Sequence, residues 1–150
     1  MEHYLEFTQS QHVLTLACHS DAEIWTANVY FATDDVGTMF FVSPKDTKHS
    51  ALIFKNSAIA FSSAWFDAAD HKNRKSIQGL GMCRLASTEK EIETGIALLY
   101  KKFPDMHDTL TLKWILTNAW GTRVWVIKPT FIKYWDDELY GDEESAEFTF

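Results

Sequence analysis

Apolar and polar residues alternate in short runs along most of the chain, and turn-forming residues separate the runs. After a short N-terminal helix, residues 12–19 read as a strand, Ser20-Asp21-Ala22-Glu23 as a hairpin turn and residues 24–32 as a second strand. A loop at 33–37 leads to a third strand at 38–43, so these runs predict a meander. Residues 47–55 suffice for two helical turns, with Asp46 or Thr47 free to cap them. A fourth strand at 57–66 and a long fifth at 74–86 flank a polar link. Thr88-Glu89-Lys90-Glu91 reads as a capping box, and Ile92, Ile96, Leu99 and Phe103 continue from it at helical spacing. Asp108 is placed to cap a further helix to about Ala119. Residues 124–135 close the pattern as a strand broken or edged by Pro129.

Strands in antiparallel succession with helices inserted at the edges predict a mainly β chain, α+β by content, built as a small barrel with flanking helices. A doubly wound sheet is disfavoured, because helices do not alternate with strands. At 150 residues and 17.3 kDa the chain fits one domain. The net charge of −7 is unevenly placed: residues 136–150 hold seven acids and no base, while fourteen acids balance fourteen bases in the rest. The expected division is therefore a single domain over residues 1–141 and a solvated acidic tail over 142–150. A neutral body carries no nucleic-acid footprint. No apolar run is long enough to span a bilayer and no signal-peptide pattern opens the chain, so the expectation is a cytoplasmic protein with no membrane partner. Cys18 and Cys83 lie in apolar runs and read as buried free thiols, and the scattered histidines give no metal-ligand spacing.

Three segments offer chemistry. In the second strand Trp25, Ala27, Val29 and Phe31 make an apolar face, leaving Thr26, Asn28 and Tyr30 on the other, which suits a flat ligand, a partner subunit or plain solvent. Ser43 to Ser50 join a strand to a helix start, where free N–H groups and Lys48 could cradle a phosphate, although Asp46 would repel one. Arg74, Ser76 and Gln78 share a strand face, and Gly79 permits close backbone approach or a bulge. No nucleophile elbow, dinucleotide turn or P-loop is present. The pairs Asp34-Asp35 and Asp136-Asp137 read as solvated, and no catalytic residue is indicated.

The order of these segments resembles the pyridoxamine 5′-phosphate oxidase-like, FMN-binding split-barrel superfamily, and within it a small bacterial branch. The likeness runs from Gln11-His12-Val13-Leu14-Thr15-Leu16-Ala17 through Ile24-Trp25-Thr26-Ala27-Asn28-Val29-Tyr30-Phe31, Met39-Phe40-Phe41-Val42-Ser43, the turn to Lys48, Asn56-Ser57-Ala58-Ile59-Ala60-Phe61 and Ile77-Gln78-Gly79. The resemblance implies a six-stranded antiparallel split barrel that forms a homodimer with two FMN sites in the interface. It would set Thr26, Asn28, Val29 and Tyr30 along the flavin ring, Phe41, Val42 and Ser43 at the end of the third strand, Thr47 and Lys48 at the phosphate, and Gln78 on a strand facing the same cleft. Two departures matter. Asp46 and Thr47 stand where superfamily members carry a small hydroxyl residue and an arginine, and one lost guanidinium contact is worth about 1.5–3 kcal/mol, or ~10- to 100-fold in affinity. Residues 105–122 read as an insertion whose Trp114, Leu116 and Trp120 either cover the site or pack on the barrel. The implied function is an FMN-dependent oxidoreductase with no substrate indicated; the alternative is a dimeric binding or sensing protein that holds a flavin, haem-like or other flat ligand without turnover.

Overall fold

The computed structural model describes residues 2–141 and 144–150. In chain order the elements are α1 (Glu2–Ser10), β1 (Val13–His19), β2 (Ile24–Thr33), β3 (Met39–Pro44), α2 (Lys48–Lys55), β4 (Ala58–Phe66), β5 (Arg74–Leu85), α3 (Glu89–Lys102), a 3₁₀ turn (Pro104–Met106), α4 (Leu112–Thr117), β6 (Thr122–Asp136), α5 (Asp137–Tyr140) and β7 (Ser145–Thr149). The strand order is β3-β2-β1-β4-β5-β6-β7, all pairs are antiparallel, and a further β3–β6 pairing closes six strands into a barrel with β7 outside. The expected mainly β barrel with flanking helices is the fold observed.

Closure is incomplete on one side. β2 meets β3 only through Phe31–Thr33 against Met39–Phe41, so residues 24–30 of β2 have β1 as their sole strand neighbour. Strand alternation then sorts the side chains. Leu14, Leu16, Val29, Phe31, Phe41 and Trp125 are among those filling the barrel, and Tyr4 and Phe7 of α1 with Leu52 and Ile53 of α2 pack onto that core. Phe40, Val124 and Val126, one residue out of phase, bury a second core under α3 and α4. Gly95 of α3 lets the helix sit close, since a Cβ there would lie 2.8 Å from Val124 Cγ1.

Several local expectations are corrected. Thr88 Oγ1 accepts the Glu91 N–H at 3.2 Å, but the Glu91 carboxylate does not complete a capping box; it accepts two bonds from Arg84 and one from the Ser87 N–H, because a guanidinium is the stronger donor. Thr111, not Asp108, caps α4, which is shorter than expected. Pro129 does not break β6. It falls between the stretch paired to β3 and the stretch paired to β7, opposite a register shift at Leu80/Gly81, so its missing N–H costs no ladder bond. The Asp136-Asp137 pair is not solvated: Asp136 accepts the Tyr134 hydroxyl at 2.7 Å and lies 3.4 Å from Lys75 Nζ, and Asp137 pairs with Arg74 at 3.0 Å. Burial opposes ionisation of Asp136, but Tyr134, the Leu139 N–H and Lys75 outweigh it and hold the carboxyl below its ordinary range. Within the expected tail, Asp142 and Glu143 lie outside the described residues, while β7 pairs with Phe131–Trp135 of β6 and Phe148 packs 4.8 Å from the Tyr4 ring. Cys18 and Cys83 are free and buried, which pushes the thiols up to about 11 and about 12.

Candidate functional site

The open edge of β2 is the starting point. Phe31 donates its N–H to His12 O, so alternation in the antiparallel ladder turns the backbone groups of Thr26 and Asn28 the other way, into the split. Their side chains and that of Tyr30 are exposed on the outer face, as the strand pattern indicates. On that face Asn28 lies beside Thr15, whose hydroxyl donates to Asn28 Oδ1 at 2.7 Å, and the same row continues through Ser62 to Gln78. Gln78 is thus three strands from Asn28, ~14 Å away, and one chain does not bring the two to one ligand edge. Val29 and Phe41 point into the core and Val42 packs against the second core; the same alternation turns the backbone of Val29 to β1 and that of Phe41 to β6, so of the three only Val42 offers backbone groups to the split.

The start of β2 runs to the N-terminus of α2. Thr47 caps that helix through Ser50 N–H, Ser50 Oγ donates to Pro44 O at 2.8 Å, and Ser43 Oγ lies 2.8 Å from His49 Nε2. Trp125 Nε1 donates to Ser43 O at 3.0 Å, fixing the end of β3. Burial pushes the His49 imidazole down, which favours its neutral form. Lys48 Nζ forms a 2.8 Å ion pair with Glu23 of the β1–β2 hairpin and lies 4.6 Å from the centre of the Trp25 ring. The hydrogen bond and charge of Lys48 in turn hold Glu23 below its ordinary range.

Set against FMN, this arrangement fits in one part and resists in another. The strand edge with Thr26, Asn28 and Tyr30 offers a flat ring backbone and side-chain partners along one line. At the phosphate end the hydroxyls of Ser43, Thr47 and Ser50 are already engaged, and Lys48 is neutralised by Glu23. A dianion would bind there through the open first-turn N–H groups only after Glu23 gives way. One further cation stands close. Arg123 of β6 is directly opposite Ser43 of β3, so both side chains share a face with Cβ atoms ~5 Å apart. It is half-buried, donates to Thr122 O at 2.8 Å, and pairs with no carboxylate among the described residues. Arg123 was not a candidate from sequence, because nothing short of the β3–β6 register brings it to the α2 turn. The insertion also reaches this turn: Gly121 O accepts the Lys45 N–H, Trp114 is packed under α3, and Leu116 and Trp120 remain exposed, Trp120 by 70%.

No protein-family model matches the chain. It is 29% identical over 104 residues, 69% of this chain and 72% of the relative, to a UPF0306 protein of Campylobacter jejuni. Among solved structures it is similar to a heme binding protein from Mycobacterium smegmatis, with a TM-score of 0.74 and 13% identity over 97% of this chain and 56% of that one. It is similar to the heme storage protein HutZ of Vibrio cholerae at 0.68 and 15%, over 99% and 92%, and to a FAD-binding protein of Mesorhizobium loti at 0.64 and 14%, over 85% and 87%. The chain therefore shares the split-barrel fold of these heme-binding, heme-storage and FAD-binding proteins.

Proposed function

We propose that the protein is a homodimeric binder of a flat cofactor, a flavin first, and that the bound flavin makes it an oxidoreductase. The observation that carries this is the open edge of β2, with Thr26, Asn28 and Tyr30 in line and Lys48 at its start. The ring lies along that edge; Thr47, Lys48 and Arg123 face its phosphate, and Gln78 reaches the site from the second subunit. When bound, the flavin supplies the redox chemistry, and the protein positions it and shields it from water. The Lys48–Glu23 pair makes the phosphate grip weak, so FMN exceeds riboflavin in affinity by less than two free cations would give.

Visible absorption of the purified protein, followed by titration with FMN and riboflavin, is the test. Lys48→Glu or Arg123→Met weakens FMN about tenfold or more and leaves riboflavin unchanged, because only FMN carries the phosphate. Equal losses for both ligands remove these cations from the site. No flavin binding at all removes the reading.

A second reading is favoured by the polar row itself. Asn28, Thr15, Ser62 and Gln78 supply amides and hydroxyls but no carboxylate, imidazole or thiol for proton transfer. That composition suits a dimer holding a flavin, heme or other flat ligand without turnover, and the similar proteins of M. smegmatis and V. cholerae bind or store heme while that of M. loti binds FAD. Bleaching of a bound flavin by a reduced nicotinamide selects the oxidoreductase; a stable spectrum selects the binder.

A further inference from the structure

At the other end of β2 a cavity of about 350 Å³ opens where α1, β2 and α3 end. Its polar lining is Gln9, Ser10, His12, Thr33, Lys101 and Lys102, the remainder is aliphatic, and no carboxylate among the described residues lines it. Thr33 is only 5% exposed and its Oγ1 has no hydrogen-bond partner among the described residues. A buried unpaired hydroxyl is costly, and nearly all such groups in folded proteins find partners. Lys102 Nζ donates to Gln11 O and lies 4.6 Å from the centre of the Phe31 ring. An ammonium has three N–H groups, so that carbonyl leaves two.

We propose that this cavity binds the oxyanion head of a compact phosphate- or carboxylate-bearing small molecule, held by the ammonium groups of Lys101 and Lys102 and the hydroxyl of Thr33. The volume is at the lower end of ligand pockets, which matches a small metabolite and not a cofactor. Burial pushes the Lys102 amine down to about 8, a cost that an anionic neighbour would relieve. Two helix C-termini face the cavity and oppose an anion, each with roughly half a negative charge. Lys102 meets the carbonyl of Gln11 just past α1, and the two ammonium charges together exceed the roughly one negative charge of the two termini. The site is distinct from the flat-ligand face and stands whether or not flavin binds.

Titration calorimetry of the full chain with inorganic phosphate, and separately with sodium acetate, at constant ionic strength tests the proposal. The expected result is saturable binding of one anion per chain; phosphate binding identifies a phosphate head and acetate binding a carboxylate head. Lys102→Met removes a contact to α1 and can lower stability, so Thr33→Val and Lys101→Met are the informative variants. Thr33→Val keeps or raises the thermal midpoint, since it deletes an unpaired hydroxyl, yet weakens the anion about tenfold. Absence of saturable heat with both anions, or undiminished binding by both variants, overturns the site.

Discussion

At the residue scale, the same side chain often carries a different task from the one its neighbours in sequence suggest. Gly79 permits a close approach, but the close neighbour is the protein's own core: a Cβ there would lie 2.2 Å from the Phe61 ring and 2.9 Å from Phe131 O. The backbone oxygen cannot move aside as a flexible side chain would. Gly79→Ala is therefore expected to cost about 1–3 kcal/mol by overpacking and to lower the thermal midpoint by roughly 2–10 °C, measured by calorimetric melting. An unchanged midpoint would mean that both the Phe61 ring and the β6 backbone at Phe131 give way. Which residues of β2 face outward was legible from alternation alone, and the structure keeps Thr26, Asn28 and Tyr30 there. What alternation could not give is pairing across the fold. Glu23 reaches Lys48, and Arg123 stands opposite Ser43, only because hairpin geometry and the β3–β6 register bring residues 25 and 80 positions apart together.

At the element scale, the sequence was most readable where one local device set the boundary. Thr88 and the Ile92, Ile96, Leu99 spacing define α3, whereas Asp108 falls within a turn and the cap of α4 passes to Thr111, three residues on. Two elements are held by partners outside themselves. The Glu91 carboxylate ties α3 to the end of β5 through Arg84, whose hydrogen bond, with that of the Ser87 N–H, lowers it to about 2. A depressed carboxylate stabilises the fold fully above its unfolded value of ~4.3 and loses that contribution as pH falls towards 2. Glu91→Gln should lower stability by about 1–2 kcal/mol at pH 7, less than the full shift implies because Arg84 is partly solvated. The gap from the unsubstituted protein should close as the pH of a denaturant titration is lowered from 4.5 to 2; a gap that persists at pH 2 would assign the loss to packing. β7 was obscured by its acids, which mark a solvated segment unless Phe148 has somewhere to go. α1 provides that place, because Tyr4 is buried beneath it. Ending the chain at Gly141 leaves the β3–β6 closure intact, so the barrel still folds, but it uncovers Tyr4 and should cost about 2–3 kcal/mol in the same titration. No loss would show that the strand merely rests on β6.

For the whole molecule, the outer face of β2, β1, β4 and β5 is the surface left to account for. Two rows cross it, Thr26-Ala17-Ala60-Leu80 beside Asn28-Thr15-Ser62-Gln78, and their central members Ala17, Ala60, Thr15 and Ser62 are small, so a second sheet could approach closely there. Around the first row Ile24 is 78% exposed, Leu80 53% and Met82 47%, an apolar surface that a lone chain would leave in water. A cavity of about 460 Å³ beside it is lined by Ile24, Leu80 and Met82 together with small apolar residues and offers few polar partners, which suits protein contact better than a polar ligand. The homodimer proposed above covers this face by two-fold symmetry and brings the Gln78 of one chain towards the open β2 edge of the other. Light scattering should then give about twice the 17.3 kDa chain mass. Leu80→Lys is the sharper test, since Leu80 is outside the core and opposite Ala60, where a charge would be buried against its symmetry mate's apolar surface. The variant should run as a folded monomer with an unchanged far-ultraviolet spectrum and should lose flavin binding together with the dimer. A Leu80→Lys protein that remains dimeric would move the interface off this sheet. A monomer that still binds flavin would confine the whole site to one chain and remove Gln78 from it.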